Sequence, residues 1–252
     1  ELWRAFLNEA LLPMIECAVE AGMRVVASTN GHFFTSREFC REVVKSGLHH
    51  LIICLDGADQ ETISRYRVNA DFKEILSGFK LISETKQELG SGTPAVELQF
   101  IVMRHNEHQR ETMRKLAEAL KVDVYCEKTI GVDRNDQDFQ TLCEELLPRD
   151  LSESRYRKEE NGTFVLKGEI RNRCAWVYRK AVINVDGTVV PCCYDLCSTH
   201  SMGNVFKVPL KNIWNGKKYR EFRERIRCNR LEITVCTNCS EGRHTISRKA
   251  SV

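Results

Sequence analysis

The chain has 252 residues, of which 42% are hydrophobic and 29% are charged, so it is long enough to bury a large core and is not an intrinsically disordered polypeptide. Its formal net charge is only +3, and the basic run at residues 217–227 is interleaved with two glutamates, as on a solvated helix face, which predicts no nucleic-acid partner. The sequence has no run of 18 or more apolar residues and no signal-peptide pattern, so we predict no membrane association and expect a cytoplasmic location.

Helical periodicity extends over residues 2–21, where Pro13 predicts a kink or a division into two helices. Gly22 is typical of the position that follows the end of a helix. Because the first residue is a glutamate that already lies inside this helical pattern, we expect the chain to be a fragment of a longer protein.

Strand and helix patterns alternate over the next hundred residues. The predicted strands span residues 23–28, 51–55, 96–103 and 122–126. The first predicted helix begins at the Thr35-x-x-Glu38 capping box and ends at Gly47, and the other predicted helical segments are residues 60–88 and 107–120. The second strand is contiguously apolar rather than alternating, so we expect cover on both of its faces. This alternation predicts right-handed βαβ units and a parallel sheet, either open or curled into part of a barrel.

Polar side chains gather where the predicted strands end. In parallel α/β folds the carboxyl ends of the strands are the edge that binds ligands. Helix capping and turn formation favour the same residue types, so a structural role is an equally good explanation for each position. The residues at these ends are Ser28, Thr29, Asn30, Cys54, Asp56, Arg104, His105, Asn106, Glu127 and Lys128.

The second half of the chain is organised differently. Periodicity weakens between residues 131 and 173, which predicts a connector with one helix around residues 140–147. The Asp186-Gly187 pair between two short apolar runs is the signature of a type I′ hairpin, and a further helix is predicted over residues 216–226. The predicted domains are an α/β core at residues 1–130, a connector at 131–173 and a small cysteine-rich hairpin and helix module at 174–252.

Twelve cysteines is a high number for a chain expected in a reducing compartment, where metal ligation explains excess cysteine more often than disulfides do. Five lie in the first 150 residues within predicted helices or strands, and seven lie in the last 80 residues near turns. Metal chemistry is therefore expected in the C-terminal module. The five that we predict to be packed apolar side chains are Cys17, Cys40, Cys54, Cys126 and Cys143.

Four cysteines of the module fit a single metal centre. Cys236 and Cys239 form a Cys-x-x-Cys pair, Cys192 lies at the end of the predicted hairpin, and Cys174 lies just before it. Four thiolates suit either a zinc ion or an iron–sulfur cluster. Structural zinc ribbons generally use two Cys-x-x-Cys pairs, whereas this module has one, so the spacing favours iron–sulfur without excluding zinc. Cys193 is the alternative to Cys192 as a ligand.

Several segments of the module occur in a characteristic order. They are Cys174, Ile183 to Cys193, Met202 to Val205, Ile213-Trp214, Arg220 to Arg223 and Cys236-x-x-Cys239. This order resembles the SPASM/Twitch domains of radical S-adenosylmethionine (radical SAM) enzymes, and most closely their single-cluster form, the aminocyclitol dehydrogenase type. The resemblance implies one auxiliary 4Fe–4S cluster with Cys174, Cys192, Cys236 and Cys239 as its ligands. Cys197 and Cys228 have no counterpart in that form.

The upstream half resembles the core of the same family. The matching segments are Ser28 to Gly31, Ile53 to Gly57 and Val102 to Asn106, each at the end of a predicted strand. The resemblance implies an α/β fold, a partial (β/α) barrel with parallel strands that is incomplete at the N-terminus. Cys54 stands where the family has a serine. The candidate contacts to S-adenosylmethionine (SAM) are Ser28, Thr29, Asn30, Cys54, Asp56 and Asn106.

The family's defining Cys-x-x-x-Cys-x-x-Cys motif does not occur in the sequence. Cys193 and Cys197 have the first interval, but position 200 is a histidine. We therefore expect the second 4Fe–4S cluster, which cleaves SAM, to belong to an N-terminal segment that this chain lacks, and we expect the chain alone to be inactive.

The activity that the resemblance implies is SAM cleavage to a 5′-deoxyadenosyl radical, followed by hydrogen abstraction from a substrate. The implied partners are an unidentified small-molecule or peptide substrate and an electron donor such as a flavodoxin or ferredoxin. Two alternatives remain open. One is a non-enzymatic module with a structural four-cysteine zinc site, and the other is a family member without the catalytic cluster that acts as a binding partner.

Overall fold

The computed structural model describes residues 5–239 and 248–251, which are organised as two compact units. Within the described residues, the first unit contains residues 5–130, 144–154 and 248–251, and the second contains residues 131–143 and 155–239. The three-domain division made from the sequence stays a prediction, and residues 1–4, 240–247 and 252 of it lie outside the described part of the chain.

Helices and strands alternate along the first unit, whereas short strands and helices make up the second. The helices are α1 (Leu11–Glu20), α2 (Arg37–Lys45), α3 (Gln60–Ser64), α4 (Phe72–Glu88), α5 (Arg110–Ala119), α6 (Phe139–Leu146), α7 (Leu210–Trp214), α8 (Lys217–Asn229) and α9 (Thr234–Thr237). The strands are β1 (Val26–Thr29), β2 (His50–Cys54), β3 (Ala95–Val102), β4 (Val124–Thr129), β5 (Tyr156–Lys158), β6 (Phe164–Leu166), β7 (Val182–Ile183), β8 (Thr188–Val190), β9 (Gly203–Asn204) and β10 (Arg248–Ser251). Single turns of 3-10 helix occur at Ala5–Leu7, Glu107–Gln109, Trp176–Tyr178 and Arg230–Glu232.

The first unit is built around one sheet. Strands β1, β2, β3 and β4 are neighbours in that order, and each pairs in parallel with the next. Strand β10 joins the edge and pairs with β4 in the antiparallel direction, which the sequence analysis did not predict. Parallel neighbours need crossover connections, and helices supply them here. The prediction of a parallel α/β sheet is confirmed.

Helices pack against one face of this sheet. Leu51 and Ile53 of β2 and Leu98 of β3 are fully buried in the same core as Ile75 and Phe79 of α4. Burial of an aliphatic or aromatic side chain of this size contributes about 1.5–3 kcal/mol. Because successive residues of a strand point to opposite faces, this core leaves the alternate residues of each strand for the other face of the sheet.

The helix predicted over residues 60–88 is divided into α3 and α4, so the prediction of one continuous helical segment is wrong. Asn69 in the intervening loop has a positive φ of 64°, which is incompatible with an α-helix. Asp71 then starts α4, since its side chain accepts a hydrogen bond from the backbone N–H of Glu74 at 2.9 Å. An N-capping aspartate inside an otherwise helical pattern is the signal that would have placed this break.

Two smaller differences concern α1 and α2. Helix α2 is capped by Ser36, whose Oγ accepts a hydrogen bond from the N–H of Phe39 at 3.2 Å, rather than by the predicted Thr35 box. Cys17 is exposed, so the prediction that it is packed is wrong, whereas the other four cysteines of that set are buried. Helix α1 buries Ile15, and Cys17 lies two positions further along this helix, which is about 200° around its axis. The side chain of Cys17 therefore points away from the buried face of α1.

The second unit has its own core. Strands β7, β8 and β9 form an antiparallel sheet, and Tyr219, Phe222 and Ile226 of α8 share a buried cluster with Val189 of β8. Strands β5 and β6 form a separate hairpin, which lies within the segment predicted as a connector. The predicted helix over residues 216–226 corresponds to α8 and ends three residues later.

The turn between β7 and β8 is not of type I′, so that prediction is wrong. Among its residues only Gly187 has a positive φ, of 80°, whereas a type I′ turn needs a positive φ at both central residues. The N–H of Gly187 donates to the carbonyl oxygen of Asn184 at 2.9 Å, which closes a turn with Val185 and Asp186 at its centre. A Cβ at position 187 would lie 2.5 Å from Cδ2 of Phe206, so glycine is required there.

Candidate functional site

A row of polar side chains lies on the face of the parallel sheet opposite to the helical core. Cys54 of β2 and Gln99 of β3 are register partners on this face. The sulfur of Cys54 lies 3.4 Å from Nε2 of Gln99 and 3.9 Å from Oγ of Ser28 on β1. Oε1 of Gln99 accepts a hydrogen bond from Nζ of Lys128 on β4. The row therefore crosses all four parallel strands near their carboxyl ends.

The carboxylate of Asp56 is fully buried just beyond the end of β2. Its Oδ2 accepts a hydrogen bond from Nε of Arg67 at 2.6 Å, and its Oδ1 accepts one from the N–H of Ile101 at 2.8 Å. Burial raises the pKa of Asp56, while the Arg67 guanidinium and the Ile101 N–H oppose this shift. Asp56 therefore ties the loop after α3 to strand β3.

The side chain of Asn106 is also fully buried and uses both ends of its amide. Its Nδ2 donates to the carbonyl oxygen of Asp56 at 3.0 Å and to that of Ile101 at 2.9 Å. Its Oδ1 accepts a hydrogen bond from the N–H of Met103 at 2.7 Å. Asn106 therefore holds the ends of β2 and β3 at a fixed separation.

The turn after β1 is held by short-range hydrogen bonds. Oγ1 of the buried Thr29 accepts a hydrogen bond from the N–H of Gly31 at 3.2 Å, and Oδ1 of the half-buried Asn30 accepts one from the N–H of His32 at 3.4 Å. Gly31 has a φ of 88°, and a Cβ there would lie 2.9 Å from Cγ2 of Ile53. The close approach of this turn to β2 therefore requires glycine.

Thiol alkylation tests the buried position of Cys54. We expect iodoacetamide, applied to the native protein at mildly alkaline pH, to modify Cys17 and to leave Cys54 unmodified. Burial raises the pKa of Cys54 to about 12 and removes its side chain from solvent, so both the thiolate and access to it are lost. Peptide mass spectrometry measures both sites, and urea should make them equally reactive. Native modification of Cys54 as fast as that of Cys17 would contradict the buried row.

The four candidate metal ligands lie on three segments of the second unit. Cys174 precedes the 3-10 turn at Trp176–Tyr178, Cys192 follows β8, and Cys236 lies in α9 with Cys239 just after it. Cys236 and Cys239 are buried, and Cys174 and Cys192 are half-buried. Cys193 is exposed, as are Cys197 and Cys228.

Packing and electrostatics relate the four thiols to one another. The pKa of Cys192 is raised to about 12, mainly by burial; the backbone N–H of Tyr194 opposes this shift, and the thiols of Cys193, Cys239 and Cys236 add to it. Burial also raises the pKa of Cys236, where Cys174 acts in the same direction and Arg230 acts against it. Cys174 also packs against the buried cluster that contains Cys236, so these two candidate ligands lie near each other, as a shared metal centre requires.

Within the described residues, no three His, Cys, Asp or Glu side chains are grouped so that they could hold one metal ion.

Arg230 is a residue of this site that the sequence analysis missed. It belongs to the 3-10 turn after α8, and its side chain is 1% exposed. Its Nη1 donates to the carbonyl oxygen of Arg173 at 2.7 Å. Arg230 continues the basic run of α8, which is typical of a solvated helix face, so no local pattern marks it as buried. The one weak signal in the sequence is its spacing, three positions before Ile233 and six positions before the candidate ligand Cys236.

The second unit matches a known protein family. Residues 174–240 match the family model of SPASM, an iron–sulfur cluster-binding domain. The match includes all four candidate ligands, so the prediction of a SPASM-type module with an iron–sulfur cluster is confirmed. A comparison with curated proteins found no match to the chain.

Solved structures of radical SAM enzymes share the fold at low sequence identity. SuiB of Streptococcus suis bound to S-adenosylmethionine matches with a TM-score of 0.58 and 14% identity, over 91% of this chain and 57% of SuiB. SuiB bound to its precursor peptide SuiA matches with a TM-score of 0.59 and 13% identity, over 91% of this chain and 56% of SuiB. BtrN in complex with AdoMet and 2-DOIA matches with a TM-score of 0.49 and 16% identity, over 94% of this chain and 69% of BtrN.

The likeness to SuiB bears on the fold alone, and it agrees with the parallel four-stranded sheet of a partial β/α barrel. This chain spans little more than half of the length of SuiB. Of the helices in the described part of the chain, none has the length and apolar character needed to cross a membrane.

Proposed function

We propose that this chain is part of a radical SAM oxidoreductase or maturase, and that its SPASM module uses one auxiliary 4Fe–4S cluster for electron transfer. The proposed ligands are Cys174, Cys192, Cys236 and Cys239. The observation that carries the proposal is the match of residues 174–240, which include all four cysteines, to a domain family that binds iron–sulfur clusters, and the packing of Cys174 against the buried cluster that contains Cys236 supports it. Cys192 is preferred to Cys193 because it is partly buried among the other thiols, whereas Cys193 is exposed.

The surroundings of the thiols suit a cluster. Cys236 belongs to a buried apolar group with Val177, Met202 and Ile233, and Cys174 packs against that group. An apolar shell limits the access of water to a metal centre, and the buried Arg230 supplies a positive charge next to ligands that must be anionic. The donor set and its environment therefore fit the proposed group.

We assign SAM binding to the carboxyl edge of the parallel sheet. Ser28 and Asn30 are half-buried, so their side chains can reach a ligand, and Cys54 lies next to Ser28. Polar groups at this edge are where parallel α/β folds bind ligands. Buried residues hold the same edge in place through their hydrogen bonds, and we give them a positioning role. They are Thr29, Asp56 and Asn106.

The partners follow from the same proposal. A bound iron–sulfur cluster accepts or passes on one electron at a time, so an electron donor such as a flavodoxin or ferredoxin is required. SuiB was solved with its precursor peptide, which supports a peptide as the class of substrate, and a small molecule is the alternative. We place this reaction in the cytoplasm, where thiolate ligands stay reduced.

Metal analysis of the chain tests the cluster assignment. We expect anaerobically purified and reconstituted protein to be brown and to contain about four iron and four sulfide per chain, because four thiolates hold one 4Fe–4S cluster. Colorimetric iron and sulfide analysis together with elemental zinc analysis makes the measurement. A colourless protein with one zinc per chain and no sulfide would refute the proposal and favour a structural zinc module.

A further inference from the structure

The buried side chain of Arg230 is anchored to the segment that leads into Cys174. Its Nη1 donates to the carbonyl oxygen of Arg173, the residue before this ligand, at 2.7 Å. Its backbone N–H donates to Oδ1 of Asn172 at 3.0 Å, and Nδ2 of Asn172 donates to the carbonyl oxygen of Cys228 at 2.9 Å. The guanidinium and the backbone of Arg230 are therefore both bonded to the two residues before Cys174.

Consecutive turns connect Arg230 to the other end of the ligand set. The N–H of Ile233 donates to the carbonyl oxygen of Arg230 at 3.1 Å, and the N–H of Cys236 donates to that of Ile233 at 2.8 Å. The N–H of Cys239 then donates to the carbonyl oxygen of Cys236 at 3.2 Å. The guanidinium itself interacts with the sulfur of Cys236 and lies within electrostatic range of Cys239 and Cys174. One cation therefore lies beside the proposed ligand Cys236 and is bonded to the residue that precedes the proposed ligand Cys174.

A cation in this position needs negative charge nearby. A guanidinium cannot lose its proton at physiological pH, and burying it without an anionic partner costs several kcal/mol, on the order of the penalty for an unpaired buried ion. The thiolates of a bound metal centre supply such charge, because metal binding takes the proton from each cysteine ligand.

We infer that Arg230 is a positioning residue that supplies a fixed positive charge to the auxiliary cluster and thereby raises its reduction potential. A 4Fe–4S cluster with four thiolates has a total charge of −2 when oxidised, and one electron from a donor brings it to −3. A cation at fixed distance stabilises the second state more than the first, and hydrogen bonds to the sulfur ligands act in the same direction. This inference depends on the proposed function, since it needs a cluster at the four cysteines.

Exposed arginines of the same module are not expected to have this effect. Arg227 is three residues away, but it is on the surface and pairs with Glu224. Solvent and salt screen such a charge, whereas a charge inside the protein is screened much less. Arg227 therefore provides a matched control with the same change of side chain and the same change of net charge.

The test is a redox titration of the reconstituted chain, followed by the electron paramagnetic resonance signal of the reduced cluster. We expect R230Q to shift the midpoint potential to a more negative value, because glutamine can still donate to a carbonyl oxygen but lacks the charge. R230K keeps the charge and should stay close to the unsubstituted protein, and R227Q should be unchanged. Iron and sulfide content are measured on the same samples.

Each outcome decides the inference. Equal potentials in R230Q and the unsubstituted protein, both with full iron, would overturn it. If R230Q does not retain its cluster, retention of the cluster in R230K would support the need for a positive charge. Equal loss of the cluster in R230K and R230Q would mean that Arg230 only shapes the site, and it would overturn the inference. A zinc-containing, sulfide-free unsubstituted protein would instead refute the proposed function, so the two failures are distinguishable.

Discussion

Replacement of Cys192 by alanine is expected to remove nearly all of the iron and sulfide that the reconstituted chain binds. A cluster that loses one of four thiolates loses both a bond and the enclosure provided by the segment that carries that ligand. The chain has no Cys-x-x-x-Cys-x-x-Cys motif that could hold another cluster, so the loss should be visible in the total iron. Iron and sulfide analysis and the cluster absorption band measure it.

Cys193 provides the matched control for this experiment, because it is the adjacent residue with the same side chain. Since Cys193 is exposed and Cys192 is partly buried beside Cys236 and Cys239, Cys193→Ala should retain full iron. The first unit should stay folded in both variants, because its core includes no residue of the cysteine module. Full iron in Cys192→Ala together with loss in Cys193→Ala would reverse the ligand assignment.

The parallel sheet was predictable because its signals are local and repeated. Each strand is a short apolar run followed by a turn residue, and each crossover has helical periodicity, so alternation alone specifies βαβ units. The SPASM-type module was predictable for a related reason. Cys-x-x-Cys spacing and cysteines beside turns are patterns that packing alone does not favour.

What could not be predicted depends on contacts between distant residues. The loop between α3 and α4 exists because Asn69 adopts a left-handed conformation and Arg67 reaches Asp56, and neither event has a signature in hydrophobic periodicity. Arg230 follows the same rule. Its neighbours in sequence are those of a surface helix, and only the folded chain brings it beside Cys174 and Cys236.

The position of the strand-end residues was predictable from the sequence, but their role was not. The sequence placed Asp56 and Asn106 at the ligand-binding edge, but residue type could not separate a ligand contact from a structural hydrogen bond. In the folded chain both side chains are buried and bonded to the backbone of neighbouring segments. Their effect on a ligand would therefore be transmitted through the position of the strand ends.

Replacement of Asn106 by alanine is accordingly expected to destabilise the first unit by about 3 kcal/mol, since each buried polar group that loses its partner costs roughly 1–3 kcal/mol. The substitution removes hydrogen bonds from the carbonyl oxygens of Asp56 and Ile101 and from the N–H of Met103. Alanine can replace none of these bonds. Urea unfolding followed by far-ultraviolet circular dichroism measures the change in the free energy of unfolding.

Two further variants show whether the hydrogen bonds are responsible. Gln87→Ala also removes an amide, but from an exposed position on α4, so it should change the free energy of unfolding by less than about 0.5 kcal/mol. Asn106→Asp keeps an oxygen that can accept from the N–H of Met103 but loses both amide N–H donors. Its carboxylate would lie against the carbonyl oxygens of Asp56 and Ile101, so this variant should destabilise the unit at least as much as alanine does. If Asn106→Ala lowers the free energy of unfolding by less than about 1 kcal/mol, these backbone groups must find other partners. The position of the strand ends would then depend on the apolar core alone.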